Sequence, residues 1–219
     1  MLSAENAEII KNLSLLTFDI ETLGWTEPIA IGIFNGKTYV DFLKDSKDSD
    51  VVWNFLEYVK DKFAGCTLHA HNSTSFDNKF ILESLIRHNQ TIDMAAGLGS
   101  LRWIEGKIIF RDTYLLLRTS LDRACEAFGI EKKLDWKHSE TKNIWDMPGE
   151  KLQVFRAYLE RDCRALSAAF TLFVKELIYT FNIGEPGTTL GQTALKIYDA
   201  LYGLDEIDSN GQYHTQIRN

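Results

Sequence analysis

The sequence predicts an α/β domain, a mixed β-sheet with helices on its faces. Three observations carry that expectation. Three strand-like runs follow one another near the start, strand-like and helical segments then alternate, and a long amphipathic helix closes the pattern. A chain of 219 residues is long enough for one large domain with a real core.

Each element follows from its local pattern. "LLTFDIET", "PIAIGIFNG" and "KTYVDFL" read as a three-stranded meander, divided by Gly-Trp-Thr-Glu-Pro and by Asn35-Gly36, a strong hairpin signal. "KDSKDSD" then leads into "VVWNFLEYVKDKF", where Val52, Phe55, Leu56, Val59 and Phe63 recur at helical spacing, and Gly65 closes that helix. Next come a strand, "CTLHAHN", and a helix over about 77–88 with Phe80, Ile81, Leu85 and Ile86 expected inward. From about 91 to 118 the pattern returns to strands, with a hairpin around Glu105-Gly106. "SLDRACEAFGI" is a short helix capped by Ser120 and stopped at Gly129.

Residues 131–150 lack a clear period and read as a long loop. A helix over about 150–181 follows, its apolar stripe running through Val154, Phe155, Leu159, Leu166, Phe170, Phe173 and Leu177. A last helix runs from Thr189 to Tyr202, with a weakly structured tail expected after it. The RNase H-like fold is one arrangement with this order of elements.

Composition narrows the function classes. A formal net charge of −7 argues against coating nucleic acid through bulk positive charge, although residues 100–165 carry a slight excess of Lys and Arg. No apolar run reaches the length of a membrane span and the N-terminus does not read as a signal peptide, so an intracellular, cytoplasmic protein is expected. Cys66, Cys125 and Cys163 form no C-x-x-C pair and read as buried free thiols. His69 and His71 share a strand face, but without a third soft ligand nearby they do not indicate zinc.

Chemistry enters with four carboxylates. Asp19 and Glu21 alternate with Phe18 and Ile20 and so point the same way from one strand, where two like charges repel unless a cation lies between them. "HNSTSFD" ends a strand and opens a helix, which puts Asn72, Phe76 and Asp77 at the edge where α/β sheets bind ligands. In "RAYLERDCRAL", Tyr158 and Asp162 lie four apart on one helix face, with Asp162 beside the apolar stripe. Asp19, Glu21, Asp77 and Asp162 are hard oxygen ligands of the kind that hold Mg²⁺ or Mn²⁺. Taken singly, Asp77 also reads as a helix cap, and Tyr158 with Asp162 as a surface pair.

The ordered set "DIET", N-x-x-x-F-D and Y-x-x-x-D resembles the three exonuclease motifs of the DEDD superfamily, in its tyrosine subclass. Within it the chain is most similar to the exonuclease domain of protein-primed family B DNA polymerases, found in phages, adenoviruses and linear plasmids. The resemblance implies an RNase H-like, DnaQ-like exonuclease fold. It also implies two Mg²⁺ or Mn²⁺ ions held by Asp19, Glu21, Asp77 and Asp162, with Tyr158 orienting the attacking water. Thr22, Leu23, Asn72 and Phe76 match positions that contact the single-stranded DNA 3′ end. "KLDW" resembles an extra lysine motif and so gives Lys133 an assisting role, a solvated surface lysine being the alternative.

On this reading residues 1–185 form a 3′→5′ exonuclease domain, and 186–219 form a linker leading toward a polymerase palm absent from these residues. The implied partners are the palm, fingers and thumb of a polymerase and a terminal priming protein, with no membrane. Two other functions stay open: a free-standing exonuclease acting on RNA or DNA, and a non-catalytic module that holds DNA or a priming protein.

Overall fold

The structure, a computed structural model, describes residues 15–202 apart from 132, 133, 135 and 137–143. The chain divides into two compact units, and Ser14–Phe170 holds the sheet. Its strands are β1 (Leu16–Leu23), β2 (Glu27–Phe34), β3 (Tyr39–Leu43), β4 (Thr67–Ala70), β5 (Ile92–Asp93), β6 (Ala95–Leu98), β7 (Ser100–Trp103) and β8 (Ile108–Asp112). Seven of them form one sheet in the order β3-β2-β1-β4-β8-β7-β5. β4 runs parallel to β1 and to β8, and the other pairs are antiparallel. This mixed sheet flanked by helices is consistent with the RNase H-like arrangement that the sequence implied.

Alternation along β1 divides this unit into two layers. Leu16, Phe18 and Ile20 join the main core with Val52, Phe55, Leu56 and Val59 of α1 (Val51–Phe63) and Ile81 and Leu85 of α2 (Asp77–Arg87). Thr17, Asp19 and Glu21 face the other way. There the residues up to Phe170 of a long helix, α5 (Gly149–Phe181), pack through Phe155 and Leu159 on Ile29 and Ala30 of β2. The Thr17 hydroxyl donates to the Cys163 carbonyl at 2.8 Å, tying strand to helix one residue from Asp162.

Local chemistry explains the boundaries. Asp50 caps α1 by accepting the Trp53 N–H, and Asn35 turns the hairpin by accepting the N–H groups of Lys37 and Thr38. Ser120 caps α4 (Leu121–Ala127) through the Arg123 N–H. In the second unit, α6 (Leu190–Tyr202) starts with T-x-x-Q: the Thr189 hydroxyl accepts the Gln192 N–H at 3.2 Å. No described helix is long and apolar enough to cross a membrane.

Several expectations are corrected. The strand pattern ends at Asp112, and Tyr114–Leu117 forms a short helix, α3, because Thr113 turns the chain and its carbonyl accepts the N–H groups of Leu116 and Leu117. Ile86 and Val154 are exposed: each neighbours a fully buried residue, Leu85 or Phe155, and one residue is ~100° of helical rotation. Cys66 is only half-buried, unlike Cys125 and Cys163. Residues 1–14 and the tail from 203 lie outside the described residues.

His69 sits under α5 with its ring 4.9 Å from that of Phe170, and its Nδ1 faces the Leu16 carbonyl at 3.4 Å. Burial pushes its pKa down from 6.5 to about 4. Between those values the unfolded chain takes up a proton that the folded chain refuses. This residue's contribution to stability is therefore complete above about pH 6.5 and is lost as the pH falls toward 4, by about 3 kcal/mol. Denaturant melts of wild type and His69→Gln at pH 7 and pH 4.5 check this, and the variant is expected to show the smaller acid-side loss.

Candidate active site

The acidic centre is assembled by β1 and α5. Oxygen atoms of Asp19, Glu21 and Asp162 lie within 4.8 Å of one another, and Glu21 and Asp162 are buried. Two features allow the helix to come so close. Asp19 is paired across the sheet with Gly32, where a Cβ would stand 3.0 Å from Leu159 Cγ and 2.8 Å from the Tyr39 hydroxyl, so any side chain there would push against α5. The Thr17–Cys163 hydrogen bond holds the same turn of the helix. Beyond Glu21 the register of β1 on β2 slips, as at strand irregularities beside functional sites.

Asp77 approaches from α2. It is the first helical residue rather than the cap, and its Oδ1 accepts the Ile20 N–H at 3.0 Å, so the carboxylate is held between the two strand carboxylates' attachment points. Tyr158, one turn before Asp162, is buried and hydrogen-bonds to Glu21.

The electrostatics show the cost of this arrangement. Burial, and next the charge of Asp19, raises the Asp77 pKa well above the usual carboxylate range. Burial and then Glu21, Asp162 and Asp19 raise Tyr158, which stays a neutral phenol. Cys163 is raised by burial and by the same carboxylates, so it remains an inert thiol. Among the described residues, Asp19, Glu21 and Asp162 are the one group of three or more His, Cys, Asp or Glu side chains that could hold a metal ion. An all-oxygen donor set, largely buried and mutually repelling, fits a hard divalent cation.

The centre opens into a cavity of about 810 Å³ lined by Asp19, Glu21, Asp77, Tyr158 and Asp162, and also by Thr22, Leu23, Asn72 and Phe76. All of the sequence-derived candidates except Lys133 line this one space. Lys133 lies outside the described residues.

Sequence reading missed four features here. Trp25, His71 and Ser75 also line the cavity. Asp112, buried at the end of β8, accepts the Thr74 N–H through Oδ2 and the Tyr114 N–H through Oδ1, each at 2.9 Å. It thereby anchors the loop that carries Asn72 and Phe76. An acidic residue closing an apolar strand, "IIFRD", was the available signal. His71 is fixed from both nitrogens, Nδ1 on the Thr113 hydroxyl at 3.0 Å and Nε2 on the Thr119 carbonyl at 2.8 Å.

Fold and site together define an α/β domain with an acidic centre suited to a divalent cation. Residues 63–153 match the family of DNA polymerase type B, organellar and viral. The chain is 27% identical to a protein described as "Probable DNA polymerase" from Ascobolus immersus, over 78% of this chain and 18% of that one. In fold it is similar to phi29 DNA polymerase complexed with primer-template DNA, with a TM-score of 0.62 at 19% identity over 85% of this chain and 34% of that one. It is likewise similar to phi29 DNA polymerase complexed with single-stranded DNA, with a TM-score of 0.61 at 17% identity over 89% and 37%. The sequence matches are to DNA polymerases, and the structural matches show a shared fold. The chain spans about a fifth of the curated relative and about a third of the phi29 chains.

Proposed function

We propose that this domain is the 3′→5′ proofreading exonuclease of a protein-primed family B DNA polymerase, removing nucleotides from single-stranded DNA ends by a two-metal-ion mechanism. One observation carries the reading: three carboxylates within 4.8 Å of one another, with a tyrosine hydroxyl bonded to one of them, at the floor of a nucleotide-sized cavity. A module that only bound DNA would gain nothing from concentrating negative charge where a polyanion must enter.

Asp19, Glu21, Asp77 and Asp162 would hold two Mg²⁺ or Mn²⁺ ions. Such ions activate water and stabilise the leaving oxygen in phosphodiester hydrolysis. Tyr158 orients the water: its hydroxyl is a phenol fixed by Glu21, so it positions by hydrogen bonding and does not act as a base. Thr22, Leu23, Asn72 and Phe76 receive the 3′ end, and Lys133 assists catalysis on the strength of the family motif. The larger setting follows from the same reading: a palm, fingers and thumb, a terminal priming protein, and a cytoplasmic location.

The test is hydrolysis of 5′-labelled single-stranded DNA and RNA by purified protein with Mg²⁺, Mn²⁺ or EDTA. Stepwise shortening of DNA from the 3′ end, abolished by EDTA, is expected. Preference for RNA would favour a free-standing ribonuclease instead. Tyr158→Phe is expected to lower turnover roughly tenfold or more, a water-orienting hydroxyl being worth less than the ~10²–10⁴-fold of a group that itself transfers the proton. Single-strand binding measured with Ca²⁺ should stay near wild type, because the ring remains to pack.

A further inference from the structure

We propose that Trp25 is a base-stacking residue at the mouth of the acidic cavity, where together with Phe76 it grips one base of an entering nucleic-acid single strand. The proposal rests on the exonuclease reading of the same cavity and deepens it by naming how the strand is held.

Four observations converge on this residue. Trp25 is 76% exposed, the most exposed of the large hydrophobic side chains among the described residues, yet it lines the cavity that Asp19, Glu21 and Asp162 floor. Its ring stands edge-on to Phe76, with centroids 5.9 Å apart and planes at 80°. Phe76 is in turn braced edge-on by Phe80 at 5.2 Å. The aromatic pair is thus held from behind, and most of the indole stays in solvent.

The backbone adds a second argument. Gly24 and Trp25 have φ of +61° and +68°, consecutive left-handed residues in the turn between β1 and β2, where the Thr26 N–H reaches the Leu23 carbonyl at 3.4 Å. Glycine, asparagine and aspartate suit such a turn, and a bulky aromatic does not. A chain that needed only the turn had better residues for it. An exposed tryptophan placed there against local preference points to a role outside the fold.

The charge of the cavity identifies the occupant. Among its described lining residues there is no Lys or Arg, while Asp19, Glu21, Asp77 and Asp162 are acidic. Phosphates of an entering strand therefore find no side-chain cation on these walls. A base offers a neutral π-face, and aromatic stacking holds it without regard to sequence. That is the grip a proofreading site needs, since any of the four bases can be the misplaced one.

The experiment measures binding of an oligothymidylate to wild type, Trp25→Ala and Trp25→Tyr with Ca²⁺ in place of Mg²⁺, alongside melting temperatures. Trp25→Ala is expected to weaken binding ~5- to ~150-fold, the range that loss of one base–aromatic stack gives. Trp25→Tyr should keep most of the affinity, and neither variant should melt early, because the ring buries little surface. Oligonucleotides with an abasic site at each of the last three positions separate stacking from general damage. One of the three should cost wild type clearly more than it costs Trp25→Ala, the penalty left in the variant being the stack on Phe76. Equal binding by wild type and Trp25→Ala, or an abasic penalty as large in the variant as in wild type at all three positions, would overturn the role of Trp25 and leave the exonuclease reading standing. Failure of wild type to bind single strands would overturn both.

Discussion

Purified protein carrying Asp19→Ala and Glu21→Ala together is expected to lose DNA hydrolysis by ~10³-fold or more while keeping its circular dichroism spectrum. The size follows from the role assigned to these residues: metal-ion catalysis supplies several kcal/mol of charge stabilisation, and each ~1.4 kcal/mol is tenfold in rate. Folding should survive because neither side chain belongs to an apolar cluster, and the main core lies on the other face of β1. The charges are a burden on the metal-free protein: Asp19 contributes to raising Asp77, Tyr158 and Cys163, and Glu21 to raising the latter two. Removing both should leave the metal-free melting temperature unchanged or higher. Hydrolysis that persists in the double variant would place the active site elsewhere.

How much of this site was legible in the sequence depends on how local each signal is. Asp19 and Glu21 could be read because a strand's period of two puts them on one face, and Tyr158 with Asp162 because four residues make one helical turn. Those periods concern neighbours, so they survive without knowledge of the fold. The close approach at Gly32 is different in kind: it is a contact between a strand and Leu159, far along the chain, and only the structure shows that a side chain would not fit. The anchoring by Asp112 joins it to Thr74, thirty-eight residues earlier, and nothing in "FRDT" names that partner. Ile86 and Val154 show the limit even of local signals. An apolar residue beside a core position fits a loose helical stripe, and one residue of rotation turned each to solvent.

Repulsion among the same carboxylates makes the stability of the fold responsive to a cation. Mg²⁺ or Mn²⁺ at a hundred times its dissociation constant should stabilise the fold by about 2.7 kcal/mol, since the unfolded chain offers no assembled site. For a domain of this size that is a rise in melting temperature of roughly 5–10 °C. The shift should be pH-dependent, with a sign fixed by Asp77. Its folded pKa is raised above the unfolded value of 3.8, so as the pH falls through the folded value the native protein takes up a proton that the unfolded chain does not. Asp77 therefore favours the metal-free fold at low pH, and that advantage is lost as the pH rises and the carboxylate ionises. A cation needs the ionised form, so the metal-induced shift should be largest near neutrality and shrink on acidification. His69 changes metal-free stability in the opposite direction between pH 6.5 and about 4, but it is not among the cavity's lining residues and contributes equally with and without metal. Subtracting melting temperatures with and without Mn²⁺ at each pH removes its contribution and isolates the acidic centre. Asp162→Ala should abolish the difference. A metal-induced shift that survives in Asp162→Ala, or one that grows on acidification, would mean that the cation binds outside the carboxylate cluster.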